Sequence, residues 1–74
     1  MALEATVNHN RACRVVLVER PEGVYVLVFD APGAESPCED HLQTDWAMAK
    51  RAARQDYGIA EGQWKEIADS KFNA

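Results

Sequence analysis

The sequence predicts an α+β protein in which one helix packs on a small antiparallel sheet. Three features support this class: a hairpin of two apolar strands over residues 11–30, one amphipathic helix over residues 42–57, and a short apolar–polar segment after the helix. A helix that follows a hairpin buries its apolar side on the sheet, so the expected order is β-β-α-(short β). With 74 residues, the chain is expected to form a single small domain over residues 1–74.

Both termini are candidates for disordered tails. Apolar residues at positions 3, 5 and 7 alternate with polar ones, which is typical of a short edge strand. A frayed segment over residues 1–10 fits the same pattern equally well. Residues 68–74, ADSKFNA, are expected to form a loose tail.

The hairpin is predicted from composition and turn chemistry. Residues 11–20, RACRVVLVER, are rich in β-branched side chains, which favour a strand. Pro21 has a φ angle preset for a turn, and Gly23 can adopt the left-handed conformation that closes it. Residues 24–30 then return as the second strand. A loop is predicted over residues 30–40, because this segment holds two prolines and a glycine.

An apolar stripe with helical spacing predicts the helix over residues 42–57. Its members recur three or four positions apart: Leu42, Trp46, Ala49, Ala53 and Tyr57. Two starts are open, a cap at Ser36 followed by proline and a cap at Asp40. Gly58 is expected to end the helix, and Ile59 can fold back onto its last turn. Beyond the helix, Trp64 and Ile67 predict a short third strand or a docked extended segment.

The return strand is apolar on both of its faces. The helix is expected to cover one face and form a core that consists of Tyr25, Leu27, Phe29, Leu42, Trp46, Ala49, Ala53, Tyr57, Ile59 and Trp64. The valines that are left would form an interaction face: Val16, Val18, Val24, Val26 and Val28. Since monomers rarely leave such a patch exposed to water, we expect a homodimer that forms through the sheet. The internal alternative is a cover made by residues 1–10 and the segment around Trp64.

Two cysteines and two histidines are the candidate metal ligands. His9 and Cys13 are four positions apart, and Cys38 and His41 are three apart; these residue types and this number suit tetrahedral zinc. The structural interpretation is favoured, because Cys13 lies in a strand where a thiol acts as a small apolar group. We therefore assign no metal, and keep a zinc- or thiol-based sensor as an alternative function.

Composition and charge exclude several classes of function. The net charge of −4 argues against a nucleic-acid partner, because such proteins present a basic surface to phosphates. Lys50, Arg51 and Arg54 form a basic patch on the predicted helix, where the helix dipole favours cations. No signal peptide or membrane-spanning stretch is recognisable, so we expect a cytoplasmic protein without membrane contact. No catalytic or cofactor motif is present, and we predict a chain that is not an enzyme.

One stretch resembles a known family. Residues 15–36, VVLVERPEGVYVLVFDAPGAES, are similar to the opening of HicB-type antitoxin N-terminal domains: a strand, an acidic turn with glycine, and a strand that leads into a proline–glycine loop. That family continues with a third strand and a threonine-led helix cap, where this chain has SPCEDHLQ. The resemblance implies a non-catalytic protein that neutralises a small basic toxin. The leading hypothesis is a homodimeric protein-interaction domain, and the antitoxin is the alternative.

Overall fold

The computed structural model describes residues 2–9, 12–31 and 33–68 of the chain. Five antiparallel strands form one sheet, and a helix lies on one of its faces. In chain order the elements are β1 (Ala2–His9), β2 (Ala12–Arg20), β3 (Gly23–Phe29), β4 (Glu39–Gln43), α1 (Trp46–Tyr57), a 3-10 turn (Glu61–Gln63) and β5 (Lys65–Ile67). The strand order across the sheet is β4-β3-β2-β1-β5. The α+β class is confirmed, and the sheet has more strands than the sequence predicted.

Strand β1 lies inside the sheet. It pairs with β2 on one side, for example Ala5 with Val15, and with β5 on the other, for example Ala2 with Ile67. Of the two interpretations of residues 1–10, the strand is therefore correct for residues 2–9, but its position at an edge is not. The segment after the helix is also a strand, β5. Of the tail predicted over residues 68–74, residues 69–74 lie outside the described part of the chain.

The predicted hairpin is formed by β2 and β3. A turn of two residues, Pro21 and Glu22, joins the pair Arg20–Gly23. The Tyr25 hydroxyl donates a hydrogen bond of 2.7 Å to a carboxylate oxygen of Glu22. This bond favours the ionised carboxylate and the protonated phenol, so the pKa of Glu22 is lowered and the pKa of Tyr25 is raised. A hydrogen bond between two side chains thus connects the turn with β3.

The helix starts later than either predicted cap. Asp45 has an extended backbone, and its Oδ1 accepts a 2.9 Å hydrogen bond from the backbone N–H of Met48, as an N-cap does. Ser36 and Asp40 are not the start, because residues 39–43 pair with the free edge of β3 and form β4. The end of the helix agrees with the prediction: Gly58 has a φ of 68° and donates from its backbone N–H to the Arg54 carbonyl.

The helix packs on the opposite face of β3 from the one predicted. Val24, Val26 and Val28 lie under it, in a cluster with Ala49 and Ala53. The two alanines are fully buried, so the helix axis approaches the sheet closely there. The other members of this core include Ala5, Val15, Leu17, Tyr57 and Ile59, with Leu3, Val7, Trp46 and Trp64 half-buried against it.

This packing changes the predicted core at four positions: three residues lie on the other face of the sheet, where Phe29 is still buried, and one is exposed. Tyr25, Leu27 and Phe29 lie on the face away from the helix, because alternate residues of a strand point to opposite faces. Leu42 is 49% exposed on β4 and does not belong to the core. The reason is that Leu42 lies in a strand opposite Tyr25, and not in the helix.

The face without the helix has its own apolar cluster. It consists of Ala2, Val16, Val18 and Phe29, with Leu27, Ala34 and Ile67 packed against them. Arg14 lies 4.1 Å from the ring centroid of Phe29, and its guanidinium donates to the Ala34 carbonyl at 3.1 Å. The loop after β3 thereby folds over part of this face.

The predicted interaction face does not exist as one surface. The cross-strand partners of Val16 and Val18 are Leu27 and Tyr25, so these two valines lie on the other side of the sheet from the valines of β3. All five valines are at most 2% exposed: Val16, Val18, Val24, Val26 and Val28. An uncovered valine face therefore gives no argument for a dimer.

Candidate functional site

Among the residues that the structure describes, the exposed large apolar side chains lie at the β4 edge of the molecule and at the start of the helix. Leu42 of β4 is 49% exposed, and Met48 of α1 is 44% exposed. Strand β4 pairs with β3 on one side, and the strand order ends at β4. Since an edge strand presents unpaired backbone N–H and C=O groups, this edge can accept another strand.

The side chains of β4 divide between the two faces of the sheet. Asp40 and Leu42 lie opposite Leu27 and Tyr25, on the face away from the helix. Glu39 and His41 lie on the helix side, and His41 Nε2 is 3.0 Å from Glu39 Oε1. Two carboxylates on a strand of five residues make the edge acidic. Charge of this kind restricts which strands can pair with the edge.

Sequence reasoning missed this site. The segment Glu39–Gln43 reads EDHLQ, which has no β-branched residue and resembles a loop or a helix start. The sequence of β3 nevertheless indicated that a further strand was needed, because the residues of β3 are apolar on both faces. Such a strand needs neighbours on both of its edges as well as cover on both faces, and β2 could supply only one of these neighbours.

Three of the four candidate metal ligands can be compared in the described residues, and these three do not form a site. Cys13 lies in β2 and is half-buried, Cys38 is exposed just before β4, and His41 pairs with Glu39. His9 ends β1, and its side chain lies outside the described part. Within residues 2–9, 12–31 and 33–68, no group of three or more His, Cys, Asp or Glu side chains gathers to hold an ion.

Both cysteines are free thiols. The backbone N–H of Cys38 donates to the Val28 carbonyl at 2.7 Å, which fixes the residue beside the end of β3. Partial desolvation raises the pKa of the Cys38 thiol, and the nearby carboxylates of Asp30 and Glu39 raise it further. Thiols that sense oxidants usually have a lowered pKa, so this environment is unfavourable for that role.

The raised pKa predicts slow alkylation of Cys38. Because only the thiolate reacts, iodoacetamide at neutral pH should modify Cys38 more slowly than the cysteine of a short unstructured peptide. The Asp30→Asn variant removes one carboxylate and should react faster than the parent chain. Mass spectrometry of the Cys38 peptide over time gives both rates. If Cys38 of the parent chain is alkylated faster than the peptide cysteine, the pKa of Cys38 is not raised. A thiol-based sensor would then become the better interpretation.

Comparison of the chain with protein-family models, with curated proteins and with solved structures finds no match. In the part of the chain that the structure describes, no helix has both the length and the apolar character needed to cross a bilayer.

Proposed function

We propose that the chain is a small, non-enzymatic protein-interaction domain that forms a homodimer through the β4 edge of its sheet. The observation that carries this proposal is the exposed Leu42 on a strand that ends the sheet. Strand addition at such an edge gains main-chain hydrogen bonds, and the alternate side chains determine which partner fits. The proposal places the protein in the cytoplasm, where Cys13 and Cys38 stay reduced.

A second copy of β4 is a suitable partner strand. A two-fold axis normal to the sheet makes the two strands antiparallel and keeps both helices on the same side. If the axis passes through His41, Glu39 faces Gln43 and Asp40 faces Leu42 of the second copy. The two Leu42 side chains then lie on one face as diagonal neighbours, within reach of each other.

The length and charge of β4 favour this register over its neighbours, because only the axis at His41 pairs all five residues of the strand. With the axis at Leu42, only His41, Leu42 and Gln43 would pair within β4. With the axis at Asp40, the two Asp40 carboxylates would face each other. Like charges directly opposite are destabilising in an antiparallel pair, so the register centred on His41 is favoured.

The interface is small, and the dimer is expected to be weak. Only five residues of each chain pair along β4. Contacts below about 1,200 Å² belong to weak or transient complexes. A dissociation constant in the micromolar range, about 8 kcal/mol or less of binding free energy, is the corresponding expectation.

A matched pair of glutamate variants tests the dimer. At about 100 µM, well above a micromolar dissociation constant, the parent chain should have the mass of a dimer by light scattering. Leu42→Glu should be monomeric, because it places a carboxylate directly opposite Asp40 of the second copy. Met48→Glu makes the same change on a residue of similar exposure in α1 and should stay dimeric. A monomeric parent chain, or equal effects of the two variants, would refute the proposal.

The second candidate function is an antitoxin-like partner of a small basic toxin. It is favoured by β4, because this strand follows the proline–glycine loop where the HicB-type family has its third strand. The acidic residues Glu39 and Asp40 suit a basic partner. An adjacent open reading frame for a small basic protein, whose product copurifies with this chain, would favour the antitoxin; its absence would favour the homodimer alone.

A further inference from the structure

A groove lies between α1 and the turn that follows it. Its volume is about 320 Å³, and its walls are formed by Lys50, Arg51, Arg54, Ile59, Glu61 and Trp64. This volume is at the lower end of the range of about 300–1,000 Å³ that small-molecule sites occupy. None of the lining residues belongs to β4, so the groove is separate from the proposed dimer edge.

The groove is basic in an acidic protein. Three positive charges face one negative charge there, whereas the whole chain carries a net charge of −4. Lys50 Nζ is 2.7 Å from Glu61 Oε1, so this pair largely neutralises itself. Within the described residues, Arg51 and Arg54 make no ion pair, and both are exposed. Their guanidinium groups are therefore available to a ligand.

Trp64 adds a second, independent observation. The side chain is half-buried, and its indole Nε1 is buried without a hydrogen-bond partner in the described part. A donor that is removed from water without an acceptor costs free energy, and a bound acceptor can recover that cost. Trp64 and the two arginines are all donors, and the lining supplies few acceptors besides Glu61.

The helix dipole explains only part of this arrangement. It favours cations in the last turn of α1, which accounts for Arg54. It does not account for Arg51, or for the apolar wall that Ile59 and Trp64 form beside the cations. A ligand with an anionic group beside an apolar ring accounts for both the cations and the apolar wall.

We propose that this groove binds a small molecule that carries a phosphate or carboxylate group beside an apolar ring. The anionic group lies between Arg51 and Arg54, whose guanidinium forks match the oxygen pairs of both groups. The ring lies against Trp64. Lys50 stays paired with Glu61 and holds the turn against the helix.

Tryptophan fluorescence tests the binding. The chain has two tryptophans, so a Trp46→Phe variant reports on Trp64 alone. Phenyl phosphate and benzoate are the probes, phenol is the neutral control, and ionic strength is held constant. We expect the fluorescence of Trp64 to change saturably with at least one anion. The anion with the lower dissociation constant identifies which group the groove prefers. No saturable change with either anion, or an equal response to phenol, would overturn the proposal.

Charge-matched variants locate the site. Arg51→Gln and Arg54→Gln change exposed residues and should keep the fold, which circular dichroism verifies. Each should weaken anion binding by about tenfold or more, as expected for one charged hydrogen-bonding group. Arg20→Gln makes the same change at the hairpin and should leave the affinity within about twofold, because Arg20 does not line the groove. Equal losses in all three variants would mean that only the net charge matters, and would refute a site at this groove.

Discussion

Gly23→Ala is expected to destabilise the fold strongly and to loosen β4. Gly23 has a φ of +148°, a conformation that residues with a side chain rarely adopt. A Cβ atom at this position would also collide with the backbone carbonyl oxygen of Gln43 and approach Leu42 Cδ1 to 3.2 Å. Backbone strain of about 1–3 kcal/mol and overpacking of about 1–3 kcal/mol give an expected loss of roughly 2–6 kcal/mol.

Two other glycines serve as matched controls. Gly58 also has a positive φ, but a Cβ there would meet no atom within 4 Å. Gly58→Ala should therefore show the strain alone, about 1 kcal/mol at a left-handed helix cap. Gly62 has neither feature, so Gly62→Ala should be nearly neutral. Urea unfolding followed by circular dichroism measures all three. A Gly23→Ala loss no larger than that of Gly58→Ala would show that β4 does not lie against this residue.

Leu17→Ala is the second change with a large expected effect. Leu17 is fully buried in β2, opposite Leu3 and Val26, on the face that the helix covers. Removing its side chain loses apolar burial and leaves a cavity, which costs about 2–5 kcal/mol in protein cores. Because a domain of this size has only about 5 kcal/mol or somewhat more of total stability, the variant should be close to unfolding.

Leu42→Ala is the matched control for this change. Leu42 is 49% exposed, so the same truncation should alter the free energy of unfolding by only about 0.5 kcal/mol. The measurement is made on dilute protein, at which a weak dimer is dissociated. If Leu42→Ala costs as much as Leu17→Ala, the helix covers the other face of the sheet and the packing described above is wrong.

The features that follow from local chemistry could be predicted from the sequence. Pro21 and Gly23 determine the hairpin turn, and Gly58 ends the helix, because each acts through its own backbone angles. The α+β class follows from these same elements. The face of the sheet that the helix covers could not be predicted, because β3 is apolar on both faces and its periodicity favours neither face.

The length of the turn nevertheless determines the register in which β2 and β3 pair. With Arg20 opposite Gly23, Val18 must lie opposite Tyr25 and Leu17 opposite Val26. Directly opposed residues of an antiparallel pair share a face. A two-residue turn at Pro21 and Glu22 is therefore enough to separate Val16 and Val18 from the valines of β3, and it rules out a single valine face.

The remaining differences depend on contacts between distant parts of the chain. Glu39–Gln43 forms a strand because β3 offers an edge, and not because its residues favour strands. This pairing moves the start of the helix to Asp45. The basic patch on the helix was visible in the sequence, but its proximity to Trp64 depends on how the turn after the helix folds back.

The two edges of the sheet are unequal, and this limits how far the chain can assemble. Strand β4 has five residues, whereas β5 at the opposite edge has three. Pairing of β4 with β4 produces a closed dimer, because the longer edge of each chain is then occupied. Pairing of β4 with β5 would instead continue from chain to chain and produce a fibre. An edge as short as β5 offers little template for that growth, so the dimer proposed through β4 would not extend into a fibre by this route.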